Sequence, residues 1–484
     1  MSNGKRAEAN EAVDPANERW RGLPWKRLEQ QVASMQQRIA QACRKGDREA
    51  VHRLQQQVLE SEAARLLAVR RVTRESEGKD TAGVDGVKSL TPAQRLTMAV
   101  AIHPENWNRQ PCQPVRRVWL PKAGTLERRP LGILPMLDRC KQALVKLALE
   151  PEWEVRFEPH SYGFRPKLGT RDAIAAIVQA IARQPAYVFD ADIEQAFDQV
   201  DQAILLEKLH TFPVVREAIR RWLKAGVLDG DTYLPSPRGI VQGGVLSPLL
   251  LNIALHGMEA AARDGNARDA PLLVRYGDDF VILHADLQVL QQAARRVRAW
   301  LATLGLRLNP RKTRVLHTLL PFQGQAGFDF LSFALRQYPV APRRGKAAGD
   351  PVTGYALASP NVASGFQTVI TPSEEASTRH LAVITQRLRQ LQTASQAQLI
   401  RDLNPLIGGW SAYYSGLVEP AVLGRYDEQL EQQLFQWASL RHPGKAREWL
   451  RERYWYRLGA RGWIFATAEG AELRRYRQTK TRKE

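Results

Sequence analysis

The chain has 484 residues, with 70 lysines and arginines against 50 aspartates and glutamates and a formal net charge of +20. That length implies two to four compact domains, and the positive surplus favours a polyanionic partner, nucleic acid ahead of an anionic membrane surface. Cys43, Cys112 and Cys140 lie far apart and form no Cys-x-x-Cys pair, so neither a disulfide framework nor a zinc site is implied.

Residues 1–24 lack periodicity and read as a disordered tail without a signal peptide, so a cytoplasmic location is expected. Residues 25–86 read as a helical extension. Leu28, Val32, Met35 and Ile39 share one face, Gly46-Asp47 breaks the pattern, and Val51, Leu54, Val58, Leu66 and Val69 continue it. Across 87–336 strands and helices mix. Val115 to Pro121 and Tyr187 to Asp192 read as strands. Leu137 to Leu149, Gln202 to Leu209, Ser247 to Ala261 and Leu287 to Leu304 read as helices, and Gly327 to Leu335 returns to strand. The uncharged run from Gly239 to Met258 carries Gly243-Gly244, Ser247-Pro248 and Asn252, which suits a loop leading into a buried helix rather than a membrane span. Residues 337–372, rich in Pro, Gly, Ala and Ser, read as an insertion or linker. Residues 373–460 are helical again, and 461–484 form a basic tail. From Arg441 to Glu484 there are 13 Lys/Arg against 5 Asp/Glu, interleaved with Trp449, Tyr454, Trp455, Tyr456 and Trp463. Such a pattern suits an RNA backbone with unstacked bases, or a solvated helix face above an aromatic core.

Chemistry concentrates at Tyr276-Gly277-Asp278-Asp279, between the apolar runs Leu272 to Val274 and Phe280 to Leu283. This is a hairpin with an acidic tip, either a solvated Asp-Asp turn or half of a site whose carboxylates are neutralised by divalent cations. Asp192, at the exit of an apolar strand, is a third carboxylate, costly to bury without a cation unless it caps a helix. Phe197 sits where the chain leaves that strand; it either stacks under a nucleotide sugar or fills the core. Gln242-Gly243-Gly244 followed by Ser247-Pro248 is a ligand-facing loop or an ordinary helix cap. Lys122 and Arg129 flank a hairpin-like turn, and Arg165 and Lys312 lie in two further turns. Such cations either clamp a triphosphate or remain surface charges.

The order of these clusters resembles the successive sequence blocks of the group II intron-encoded reverse transcriptases, which are also maturases. The similar segments are Arg117–Ile133, Ser161–Ile174, Tyr187–Asp201, Gly239–Leu255, Arg275–Leu283, Gly305–Val315 and Gly327–Ala334, then Leu403–Tyr413. Arg441-His442-Pro443 and Arg461–Phe465 also look like bacterial members of that family. The resemblance implies an α+β, right-hand polymerase fold: fingers, a palm with an antiparallel sheet and a helical thumb (maturase X) domain, preceded by the helical extension. It makes Asp192, Asp278 and Asp279 the catalytic, metal-binding triad for two Mg²⁺ ions, with Mn²⁺ as a substitute. Phe197 would select the sugar, Gln242 would contact the nascent base pair, Lys122 and Arg129 would contact the triphosphate, and Gly243, Arg165 and Lys312 would also serve substrate binding.

The implied function is RNA-directed DNA polymerisation that copies intron RNA into cDNA, together with binding of the intron RNA to promote its splicing. The implied partners are an RNA template and intron RNA, a DNA or RNA primer 3′ end and dNTPs, with no membrane. The alternative is a host-domesticated reverse transcriptase acting in DNA repair or antiphage defence. The chain departs from the family pattern at Gly277, where Ala is usual, at Ile240-Val241 in place of Thr-Pro, and at Leu134 in place of Pro. The resemblance includes no C-terminal endonuclease module, so second-strand cleavage of a DNA target is not expected.

Overall fold

The computed structural model describes residues 15–121, 128–263, 265, 270–340, 365–457 and 462–477. Strands and helices mix. The strands are β1 (Val115–Pro121), β2 (Arg128–Ile133), β3 (Tyr187–Asp192), β4 (Val227–Asp229), β5 (Thr232–Leu234), β6 (Leu272–Tyr276), β7 (Asp279–His284), β8 (Arg314–His317), β9 (Phe328–Phe330), β10 (Phe333–Pro339), β11 (Phe366–Pro372), β12 (Trp455–Arg457) and β13 (Trp463–Phe465). They form sheets of order β2-β1-β4-β5, β6-β7-β3-β8, β11-β10-β9 and β12-β13. Two compact units result, Met1–Gly169 with Ala191–Phe280 and Gln292–Thr313, and Thr170–Asp190 with Val281–Gln291 and Arg314–Glu484.

In the first unit the helices Trp25–Arg44, Arg48–Glu60 and Glu62–Arg70 pack with Met136–Arg156. Asp47 accepts from the Ala50 N–H at 2.9 Å and Ser61 caps the next helix, so short polar side chains set where both helices begin. Met136–Arg156 is buried on almost every side, as a central helix must be, and it includes Asp138, Arg139 and Glu152. Its apolar residues Leu144, Leu147 and Leu149 each contribute about 1.5–3 kcal/mol through burial. β1 pairs antiparallel with β2 and, at its start, parallel with β4.

In the second unit Tyr187 to Asp190 pair antiparallel with His317 to Arg314. Helices Glu374–Gln390, Gln396–Tyr414 and Pro420–Arg441 follow β11, and β12 pairs antiparallel with β13.

The structure corrects several sequence expectations. Within the expected structureless tail 1–24, Pro15–Arg21 is a helix, because Trp20 finds a buried seat, and residues 1–14 lie outside the described residues. The expected helix 247–261 is two, Ser247–Leu255 and Met258–Ala262, broken where Gly257 turns to φ 99°. The ends of the expected linker 337–372 are paired strands, with Phe333 to Pro339 of β10 aligned to Pro372 to Phe366 of β11; residues 341–364 lie outside the described residues. In the tail 461–484, residues 462–477 fold back on their own unit, since Tyr476 is fully buried there.

Candidate active site

Two close approaches shape the acidic turn. Gly277 has φ 68°, and a Cβ on it would stand 2.9 Å from Phe164 Cε2; a Cβ on Gly163 would meet the Gly277 nitrogen at 2.3 Å. Side-chain-free positions thus let the segment 160–164 lie along β6. There the Tyr162 N–H donates to the Arg275 carbonyl, and the Arg275 N–H to the His160 carbonyl, each at 2.9 Å. Beneath the turn, the buried Arg275 guanidinium donates to Asn252 Oδ1 at 2.8 Å, to the Gly277 carbonyl at 3.0 Å and to Ser161 Oγ at 2.6 Å. Burial pushes its pKa down to about 10, so it remains a cation at neutral pH. Asn252 closes the frame by donating to the Gly163 carbonyl at 2.8 Å.

The frame delivers three carboxylates to one place. β3 ends on Asp192. The next residue, Ile193, donates its N–H to the Asp278 carbonyl at 3.3 Å, while the Asp192 carbonyl accepts from Asn309 at 2.9 Å. Asp278 is pushed above the ordinary carboxylate range by burial and by the charge of Asp192. Asp279 has an outer edge open to solvent, yet burial by the turn and the charges of Asp278 and Asp192 push it up to about 7. Like charges held this close oppose one another's ionisation. Lys312 supplies partial relief: its Nζ donates to Asp192 Oδ2 at 2.8 Å, and that bond holds the ammonium above its usual range. The positive charge of Arg129 acts on Asp278 in the same relieving sense.

Among the described residues no three His, Cys, Asp or Glu side chains are grouped so as to hold a metal ion in their present rotamers. Their chemistry nonetheless fits one. Hard, mutually repelling carboxylate oxygens with only a lysine between them are what a divalent cation binds.

Beside the acids lies the turn that carries Phe197. Its carbonyl accepts from the Ile240 N–H at 2.5 Å, and the Gly239 N–H donates to the Val200 carbonyl at 2.9 Å. The Gln242 loop is therefore stitched to this turn. Gln242 Nε2 donates to Asp198 Oδ2 at 3.0 Å, and the Gln242 carbonyl accepts from the Gly132 N–H of β2 at 2.7 Å. Gly243 sets its backbone against Leu131 and the Gly132 carbonyl. The rings of Phe197 and Phe164 meet edge to face with centroids 6.3 Å apart.

All of these residues belong to the first unit. Asp192, Asp278, Asp279, Lys312 and Arg129 therefore converge, and Phe197, Gln242 and Gly243 form a second group. Two further expected substrate cations are Lys122 and Arg165. Lys122 lies outside the described residues. Arg165 is not a loose substrate cation: it is paired with Glu154 at 3.0 Å and donates to the Glu158 and Ser161 carbonyls at 3.1 and 2.7 Å. Its proximity to Glu154, eleven positions earlier, was the missed signal. Sequence reasoning also passed over Phe164, Asp198, Asn252 and Arg275. Arg275 stands directly before the acidic turn at a strand position whose neighbours are apolar, a cation where a core residue is due.

Comparison with known proteins adds an independent line. Residues 20–102 match "N-terminal domain of reverse transcriptase", residues 120–335 match "Reverse transcriptase (RNA-dependent DNA polymerase)", and residues 378–455 match "Group II intron, maturase-specific domain". The chain is 31% identical over 314 residues to Protein YkfC of Escherichia coli, covering 56% of this chain and 80% of that one. It is 35% identical over 150 residues to the group II intron-encoded protein LtrA of Lactococcus lactis, covering 30% of this chain and 25% of LtrA. To the maturase-like protein 1 of Euglena gracilis it is 26% identical over 315 residues, 64% of each.

Proposed function

This chain belongs to the group II intron reverse transcriptase and maturase family, and from that premise we propose that Asp192, Asp278 and Asp279 are the catalytic centre of an RNA-directed DNA polymerase. The observation that carries the proposal is the mutual repulsion of the three carboxylates, with Asp279 pushed up to about 7. A compensating cation would relieve the repulsion that the Arg275 frame maintains. Two Mg²⁺ ions, with Mn²⁺ as substitute, would lower the pKa of a primer 3′-hydroxyl and neutralise charge on departing pyrophosphate. The three carboxylates would hold them. Lys312 would exchange its bond to Asp192 for substrate oxygens.

Phe197, half-buried beside the acids, walls the space where a ribose 2′-hydroxyl would stand. Gln242, tied to Asp198 and to β2, presents a fixed edge to the nascent base pair. Arg129 offers an exposed cation to triphosphate oxygens. The substrates would be dNTPs, an RNA template and a DNA or RNA primer end. In right-hand terms, the segment 87–336 corresponds to fingers and palm and 373–460 to the thumb. The maturase-specific segment and the helical extension would bind intron RNA, so that one chain promotes splicing and copies the intron into cDNA. That segment gives a host-domesticated polymerase no support.

Primer extension on an RNA template tests this. With dNTPs the protein should extend the primer in Mg²⁺, and Asp278→Asn should lower the rate by at least about a thousandfold, the scale of losing a main electrostatic element of a site. Preferential use of NTPs, or activity in Asp278→Asn close to that of the parent, would remove the assignment.

A further inference from the structure

The helical N-terminal region contains a feature that polymerisation does not use. Helices Pro15–Arg21 and Pro92–Ala101 pack together, and beside them runs Glu62–Arg70 with the single π-helical turn Arg71–Glu75. An open cleft of about 720 Å³ lies there, within the size range of small-molecule sites. Its cations are Arg21, Arg70, Arg74 and Arg95; its carboxylate is Glu75. Glu75 is already committed, since Arg70 Nε donates to it at 2.6 Å, and Arg70 also pairs with Glu29.

Arg95 is the anomaly. It is only 8% exposed, yet among the described residues it has no carboxylate partner, and its Nε meets no acceptor. Its side chain faces the Trp20 ring, 5.7 Å from centroid to guanidinium carbon, which satisfies none of its N–H donors. Three other guanidiniums with an unmatched Nε find oxygen elsewhere. Arg65 donates to the Ala99 carbonyl at 2.9 Å, Arg139 to the Gly78 carbonyl at 3.1 Å and Arg275 to Asn252 at 2.8 Å. Arg74 compounds the cost: burial, and then its like charge, hold the Arg95 pKa below the usual arginine value. A guanidinium whose Nε is buried without an acceptor, facing a second cation across a cleft, carries a cost that a bound anion would offset.

We infer that this cleft binds a phosphate group, with Arg95 as its buried anchor and Arg74 and Arg21 closing over it. Planar guanidinium forks match the oxygens of phosphate two at a time, and three arginines without carboxylate partners among the described residues suit its multiple charge. The indoles of Trp20 and Trp25, in edge contact at 4.9 Å, make the apolar floor. The inference stands apart from the polymerase reading, because none of these residues enters the acidic site.

The test is thermal stability of the full chain in EDTA, at constant ionic strength. Inorganic phosphate, pyrophosphate, a short 5′-phosphorylated oligoribonucleotide and acetate are compared. The parent should be stabilised by phosphate and pyrophosphate and not by acetate. A response confined to the oligonucleotide assigns the site to a polynucleotide backbone. Arg95→Met should lose the response, while its unliganded melting temperature stays level or rises, because an unpaired buried charge has gone. Arg74→Ala, at an exposed position that cannot unfold the chain, should weaken the apparent affinity about tenfold, the loss of one charge-assisted contact. No stabilisation by any phosphate, an equal response to acetate, or an undiminished response in both variants overturns the inference.

Discussion

Gly277 is where the chain departs from the family's usual alanine, and the structure gives that departure a physical partner. Phe164, 46% exposed and itself at φ 63°, fills the space a methyl group at 277 would need. Gly277→Ala therefore carries two penalties. One is the left-handed backbone of a residue with a Cβ, about 1–2 kcal/mol. The other is the 2.9 Å contact with the Phe164 ring. The expected outcome is slower primer extension with a lower melting temperature. Phe164→Leu in the same chain should restore part of the rate, since it removes the second penalty and leaves the first. Kinetics of the two single variants and the double variant check this, and strict additivity would show that 164 and 277 act separately.

Among elements, the segment 462–477 shows what a sequence does and does not disclose. Its arginines and the aromatics before it suggest a nucleic-acid-binding tail, and the charge is there. Its docking was not legible, because it depends on partners far away in the chain. Tyr476 shares a hydrogen bond of 2.7 Å with His380 Nε2, the Asn404 side chain donates to the Glu472 carbonyl and accepts from the Arg474 N–H, and Asp427 accepts from the Tyr476 N–H at 2.6 Å. His380 itself stacks on Trp410 at 4.1 Å, and burial pushes its pKa down to about 4, so the imidazole is neutral at ordinary pH. Local patterns fared better. The strands Val115–Pro121 and Tyr187–Asp192 stand where alternation and apolar runs placed them, because those signals are carried by neighbouring residues. The same contrast holds at the acidic site. The hairpin and its aspartates are contiguous letters, whereas the Arg275–Asn252–Ser161 frame joins three distant ones. If the segment is a structural strap, Tyr476→Ala should cost about 3–5 kcal/mol, in line with losing a buried aromatic ring, and should raise amide hydrogen exchange in Glu374–Gln390 and Gln396–Tyr414. Unchanged exchange in those helices would make the segment an appendage.

For the whole molecule, the charge of +20 coexists with a site that concentrates negative charge, and the two make opposite demands. The acidic turn would repel a polynucleotide backbone unless cations on the surrounding surface, or metal ions in the turn, compensate. Long-range attraction must therefore come from exposed arginines and lysines, whose effect is screened beyond about 8 Å at physiological salt. Binding of single-stranded RNA should accordingly weaken steeply with salt, at a slope of about −0.7 per neutralised phosphate. With about six such contacts, raising salt fourfold should lower affinity by roughly two to three orders of magnitude. Fluorescence anisotropy of a labelled RNA against log salt measures the slope, in EDTA so that metal bridging does not contribute. Asp192→Asn should leave the slope unchanged and tighten binding modestly, since it removes a repelling charge without adding a phosphate contact. A flat salt response would mean that the basic surface does not make the contact. A slope altered by Asp192→Asn would mean that the acidic site, rather than the surrounding cations, organises the RNA.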